Sequence, residues 1–197
     1  MSAPDTVTLE TERLVIRRFA LDDLDAIHAI LNEAFSEVPR TERQEWLEWT
    51  VRNDRALARL YQPPYGDRAI VLQATEAVIG AVGLVPSFGP FDRLPALRAH
   101  SSEPSTGLFS PEVGLFWVLA TAYRGQGYAT EAARALVAFA FAHLHLKRIV
   151  AMTEEDNTAS IAVMQRLGMT VQRHPDPAPE WFQVVGILDN PAGRAEA

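Results

Sequence analysis

The stretch from Glu112 to Leu144 constrains this chain more than any other. Val113 to Leu119 is an apolar run rich in branched and aromatic residues, which predicts a strand. Arg124-Gly-Gln-Gly127 breaks that pattern with residues that free the backbone and leave its amides uncovered. Ala129, Ala132, Ala133, Leu136, Val137, Ala140, Phe141 and Leu144 then recur at helical spacing. A helix opening directly out of a glycine turn leaves its first amides without intrahelical acceptors, at the positive end of the macrodipole. Such a turn suits a phosphate group. It also serves, more plainly, to start a helix.

The details of the turn narrow its relatives. A P-loop requires Gly-Lys-Ser or Gly-Lys-Thr, which the stretch lacks. The dinucleotide fingerprint needs a third glycine where Thr130 stands. What fits is Arg/Gln-x-x-Gly-x-Gly/Ala, filled by Arg124, Gly125, Gln126, Gly127, Tyr128 and Ala129. This pattern resembles the coenzyme A pyrophosphate loop of the GNAT superfamily of N-acetyltransferases. A second motif lies beyond a strand read over Lys147 to Thr153. Asn157, Ser160, Ile161, Val163, Gly168 and Met169 match in register the family's asparagine, small residue, apolar helix face and closing glycine. The opening phrase Leu9-x-Thr-Glu-Arg-Leu-x-Ile-Arg17 is similar to that of the ribosomal-protein N-terminal, RimJ/RimL-like branch.

The resemblance implies an α/β fold: a mixed, mostly antiparallel, splayed sheet of about six or seven strands flanked by about four helices. It implies an N-acetyltransferase moving acetyl from acetyl-CoA, as co-substrate, to a primary amine by direct attack in a ternary complex. The backbone of Trp117, Val118 and Leu119 would pair with the pantetheine amides like another strand. Arg124 to Ala129 would hold the pyrophosphate, and the Asn157 amide would reach the pantetheine arm. The acceptor is a peptide or protein N-terminal α-amine, or alternatively a small-molecule amine. A coenzyme A-binding sensor without catalysis is the reading from outside enzymology. A homodimer is compatible with this family. Neither nucleic acid nor membrane is expected as a partner.

Composition agrees with these expectations. At 197 residues, 48% apolar and 22% charged, the chain suits one ordered domain over 1–190, with a tail at 191–197 expected to be disordered. Absence of cysteine excludes disulfides, thiolate metal sites and a cysteinyl acyl-enzyme. His143-x-His145, at a helix end beside Lys147 and Arg148, reads as surface, so no metal is expected. A net charge of −7 argues against general nucleic-acid binding and suits an ammonium acceptor. The N-terminal residues Asp5, Glu10 and Glu12 are unlike a signal peptide, and no apolar run reaches membrane-spanning length, so a cytoplasmic location is expected.

In the rest of the chain, Leu9 to Phe19 reads as a strand, with Asp22 capping a helix whose stripe is Leu24, Ile27, Ile30 and Leu31. Thr41-x-x-Gln44 looks like a capping box for a helix carrying Trp46 and Trp49. These tryptophans pack in the core or line an acceptor pocket. Arg68 to Ala74 and Ala77 to Val85 form a hairpin around Thr75-Glu76. From 86 to 111 the pattern dissolves among prolines, serines and the rings of Phe88, Phe91 and Phe109, giving a long loop insertion. Phe88 and Phe91 would contact the acceptor or staple the loop down. Trp181 to Leu188 reads as a returning strand.

For the chemistry, Glu112 is the candidate base, in a Glu-x-Gly context that resembles the ribosomal branch. Partial burial would raise its pKa, and a water could relay the proton. Many relatives place a proton-donating tyrosine where this chain has Met164, which cannot donate. Ser160 is the nearest substitute, able to hydrogen-bond a developing thiolate, or else simply a small residue making room.

Overall fold

A computed structural model describes residues 7–98, 104–176 and 178–194. The chain packs as two compact units, Met1–Val85 with Phe116–Leu144, and Pro86–Leu115 with His145–Ala197.

In the first unit the short strands β1 (Leu9–Glu10) and β2 (Leu14–Arg17) pair antiparallel, and β2 pairs with β3 (Gly66–Leu72). A turn with Glu76 at φ 59° returns the chain along β4 (Val78–Gly89), completing the expected hairpin. The end of β5 (Ser110–Leu119) lies on the far side of β4, where the Ala120 amide donates to the Ile79 carbonyl at 3.0 Å. Gly80 permits this approach, because a Cβ there would stand 2.2 Å from the Val118 oxygen.

Helix α1 (Leu24–Ala34) buries the stripe Leu24, Ile27, Ile30 and Leu31, at 3.6-residue spacing, against Phe19, Ala69, Val71, Ala81 and Val118. Each such aliphatic side chain contributes about 1.5–3 kcal/mol on full burial. Leu47 of α2 (Arg40–Arg59) joins the same cluster. The helix starts differ from expectation. Asp23, not Asp22, takes the Ala20 amide at 2.8 Å while bound by both arms of Arg17 at 2.7 and 2.8 Å. No capping box forms at Thr41: α2 already begins at Arg40 after Pro39, and Gln44 reaches forward to Glu48. Pro39 is itself the N-cap, with an extended ψ of 146°, and makes no side-chain cap bond. Helix α4 (Tyr128–His143) buries Ala132, Ala133, Leu136, Val137 and Ala140 and packs on β1 and β2.

In the second unit β5 pairs in parallel with β6 (Arg148–Thr153) at Gly114↔Val150. β6 pairs antiparallel with β8 (Val184–Asp189), and β8 with β7 (Thr170–Arg173). The strands are hydrogen-bonded in the order β1-β2-β3-β4-β5 in the first unit and β5-β6-β8-β7 in the second. Helix α5 (Thr158–Arg166) stops at Gly168 (φ 81°). There the Gly168 amide bonds Gln165 and the Met169 amide bonds Met164, the paired bonds of a Schellman stop. Met164 is fully buried, and its sulfur and that of Met169 fill the space left by Gly186.

The expected mixed, mostly antiparallel α/β fold is present, with eight strands and five α-helices among the described residues. The added strand is the two-residue β1, and the added helix is the four-residue α3 (Pro95–Arg98). Segment 86–111 is less of an insertion than its composition suggests. Pro86 to Gly89 finish β4, and Phe91 and Leu94 (2% and 0% exposed) enter the second unit's core with Phe182, Val185 and Ile187. Single buried anchors separated by prolines leave no period to read. Residues 99–103 of that stretch lie outside the described residues. Glu180–Phe182 is a 3-10 turn rather than the start of a strand, and Pro191–Arg194 form another where disorder was expected.

Candidate active site

The glycine turn belongs to the first unit. After β5 a 3-10 turn, Thr121–Tyr123, is closed by the Tyr123 and Arg124 amides on Ala120 and Thr121. Gly125 and Gly127 then adopt φ of 74° and 84°, the left-handed region that favours glycine. From Gly125 through Thr130 no backbone amide finds a backbone acceptor among the described residues, and the helical pattern resumes with Glu131 N–H on Gly127. Arg124 to Gly127 are exposed. A run of open amides at the head of a sixteen-residue helix is chemically able to receive an anion.

Side chains hold the turn in shape. The Arg124 guanidinium folds back to the Leu119 carbonyl at 3.0 Å, and the Gln126 amide donates to Ala122 at 3.0 Å. Arg13 reaches across from the start of β2. It donates to the Gln126 carbonyl at 3.1 Å, pairs with Glu131 at 2.6 Å, and lies 4.3 Å over the Tyr128 ring. Glu131 also accepts the Thr11 hydroxyl at 2.6 Å and the Arg13 amide at 3.0 Å. Burial pushes the Glu131 carboxyl upward, but these bonds and the guanidinium outweigh it and hold it below the usual range. Glu33, near the end of α1, accepts the Thr121 amide at 3.0 Å. None of these supports was anticipated. The only hint was Glu131 in the first turn of a helix beginning at the glycines.

Val118 and Leu119 are buried and Trp117 is half-buried. Among the described residues, the β5–β6 register is limited to Gly114↔Val150.

Glu112, Asn157 and Ser160 belong to the second unit. Both Glu112 oxygens are held by Arg148, at 2.5 Å to Nη2 and 3.2 Å to Nε, and the carboxylate is 16% exposed. The sequence predicts partial burial for Glu112 and points to no partner for it. The guanidinium arises because Glu112 and Arg148 each stand two residues before the Gly114↔Val150 pair, a register invisible in a linear sequence. Asn157 caps α5, its Oδ1 accepting the Ser160 amide at 3.1 Å. Ser160 sits half-buried one turn in. Among the described residues, no hydrogen bond joins Glu112 to Asn157 or Ser160.

The candidate acceptor residues separate clearly. Phe91 is core, with its ring 5.2 Å from Phe182, so the protein interior rather than a ligand takes it up. Trp46 is partly buried against the first unit's core, edge-on to Phe19 at 5.9 Å, with Arg43 above it. Phe88 is 55% exposed.

The sequence model of the acetyltransferase (GNAT) domain matches residues 13–170. The chain therefore belongs to the GNAT family, enzymes that use acetyl-CoA as co-substrate. It is 26% identical over 165 residues to YnaD of Bacillus subtilis (strain 168), described as an uncharacterized N-acetyltransferase, covering 82% of this chain and 81% of that one. A solved acetyltransferase from Agrobacterium tumefaciens str. C58 is 26% identical, with a TM-score of 0.64 over 95% of each chain. The ribosomal-protein-S5-alanine acetyltransferase from Vibrio fischeri shares the fold at 15% identity, with a TM-score of 0.65 over 94% of this chain and 97% of that one. Among the described residues, no helix is long and apolar enough to cross a membrane.

Proposed function

We propose that this acetyltransferase moves acetyl from acetyl-CoA directly to a primary amine in a ternary complex, and that the acceptor is the N-terminal α-amine of a protein or peptide. The observation that carries the cofactor half is the run of open amides from Gly125 to Thr130. These would take the pyrophosphate, with Arg13 and Glu131 keeping the turn in register. Backbone groups of Trp117, Val118 and Leu119 would pair with pantetheine, and the Asn157 Nδ2 would donate to it while Oδ1 stays committed to the cap.

The amine nitrogen attacks the thioester carbonyl, the carbon–sulfur bond breaks, and coenzyme A leaves as its thiol. The nucleophile must first lose a proton from its ammonium form. Glu112 would accept it, directly or through a water. Each of its oxygens keeps a lone pair beyond the bond to Arg148, which fixes the carboxylate's orientation. An α-ammonium near pKa ~8 gives up its proton more readily than a lysine near ~10.4, which favours the N-terminal amine as acceptor. The Ser160 hydroxyl would bond the departing sulfur.

Thiol release from acetyl-CoA over peptides with free N-termini and a panel of small amines tests this reading, with coenzyme A binding followed by calorimetry. Peptide turnover is expected, falling about 10²- to 10⁴-fold in Glu112→Gln with coenzyme affinity unchanged. Turnover restricted to small amines would replace the acceptor. Binding without turnover on any acceptor would leave a coenzyme A sensor, and absence of binding would end the reading.

A further inference from the structure

Phe35, in the first unit, is held firmly and yet left in the open. It is the C-cap residue of α1, where its extended backbone ends the helix and its amide donates to the Leu31 carbonyl at 2.9 Å. The residue is 59% exposed. A single exposed apolar side chain says little by its exposure alone. The setting of this one says more. Its ring stacks on Phe116 of β5, with 6.2 Å between centroids and 27° between planes. Phe116 in turn packs against the cluster that α1 and α2 cover. Two residues before Phe35, Glu33 accepts the Thr121 amide at 3.0 Å. The end of α1 is therefore fastened to β5 at two points, one on the strand and one on the turn beyond it.

The place matters because of the direction in which the coenzyme would lie. With its pyrophosphate at the open amides from Gly125 to Thr130, its pantetheine arm would run back along β5 from Leu119 to Trp117. Phe116 is the next residue, about 10 Å along the strand from Leu119, so the thioester end of the arm would arrive beside it. An attacking amine must come within about 3–3.5 Å of the thioester carbonyl. The group carried on the carbon next to that nitrogen then falls within a side chain's length of the two stacked rings. One side of the Phe35 ring is taken up by Phe116, and the rest is open. An aliphatic or aromatic group gains from covering such a ring, through buried area and ring geometry, whereas glycine gains nothing.

We propose that Phe35, stacked on Phe116, selects the acceptor by the side chain next to its amine, favouring an N-terminal residue with a large apolar group. This rests on the function proposed above and narrows its substrate. The test uses the full chain at saturating acetyl-CoA with four tripeptides that differ only in a first residue of glycine, alanine, leucine or phenylalanine. kcat and KM are measured for each, and coenzyme A binding by calorimetry. In the native chain kcat/KM should rise about tenfold from the glycine to the phenylalanine peptide. In Phe35→Ala that ratio should fall to about one or two, with coenzyme A affinity within about twofold of native. Phe35→Leu, still apolar, should keep part of the ratio. An equal loss for all four peptides would make Phe35 only a fastener of α1 to β5 and overturn the proposal. A native ratio near one, or a tenfold ratio that survives Phe35→Ala, overturns it too while leaving the peptide acceptor standing. Turnover of none of the peptides by a native chain that binds coenzyme A would remove the acceptor class, and the proposal with it. Absence of coenzyme A binding would remove the cofactor site on which both rest.

Discussion

Arg13 has the widest reach of any single side chain near the glycine turn, touching Gln126, Tyr128 and Glu131 at once. Its pairing is partly exposed, so its worth to stability is small, but its worth to the shape of the turn is not. Arg13→Ala is expected to weaken coenzyme A binding about three- to tenfold by calorimetry while lowering stability by about 1 kcal/mol or less. Lysine at the same position would keep the charge but not the fork that spans a carbonyl and a carboxylate, so Arg13→Lys should recover only part of the affinity. Glu112 illustrates the opposite problem of reading residues singly. Its place in the chain was legible, yet its guanidinium partner was not, because Arg148 becomes a neighbour only through a parallel strand pairing. Asp67 gave no signal at all, since the strand read from the sequence began one residue later, at Arg68, while β3 starts at Gly66.

At the scale of elements, α5 depends on one side chain at its start and one glycine at its end. Asn157→Ala removes the bond to the Ser160 amide and should cost about 1 kcal/mol in urea unfolding. Asn157→Asp restores the cap but not the amide donors. If the Nδ2 group holds pantetheine, that variant should regain stability without regaining coenzyme affinity. Equal recovery of both would make Asn157 a cap and nothing more. Elements with strong periodicity were readable from the sequence, among them the hairpin β3–β4, the stripe of α1 and the strand–turn–helix passage from β5 to α4. Segment 86–98 was not. Its contribution to the core comes from isolated anchors, Phe91 and Leu94, with the amides of Thr106 and Gly107 tied to the Asp92 carboxylate at 2.6 and 3.2 Å. Such anchoring follows no repeat.

Across the whole molecule, titration should shape stability from both sides. Asp23 and Glu131 are held below their ordinary range, burial pushing them up but the bonds from Arg17 and Ala20, and from Thr11 and Arg13, prevailing. Their contribution is complete above the unfolded carboxylate range, about pH 4, and is lost as pH falls through their lower folded values. Asp67, whose carboxyl burial pushes up to about 6, acts with the opposite sign. Between about pH 4 and 6 the folded chain keeps a proton that the unfolded chain has released, so its penalty grows with pH and is complete above about 6. Thermal unfolding of the native chain should therefore peak between about pH 4.5 and 6. Asp67→Asn should be more stable than the native chain at pH 7.5, by about 1–2 kcal/mol, with the difference shrinking toward pH 4. A gain that persists at pH 4 would mean that something other than this charge is responsible.

The division of β5 between the two units also bears on how the chain is made. Synthesis delivers β1 to β4 first, but Phe116, Val118 and all of α4 emerge only after 86–115, which belong elsewhere. Until Leu119 has left the ribosome, the outer edge of β4 has no strand beside it, and such edges recruit stray strands. By then the second unit has its first strand and still lacks β6 and β8. Neither half can close before the other has begun, so nascent chains arrested near residue 110 would carry a finished hairpin and no finished unit.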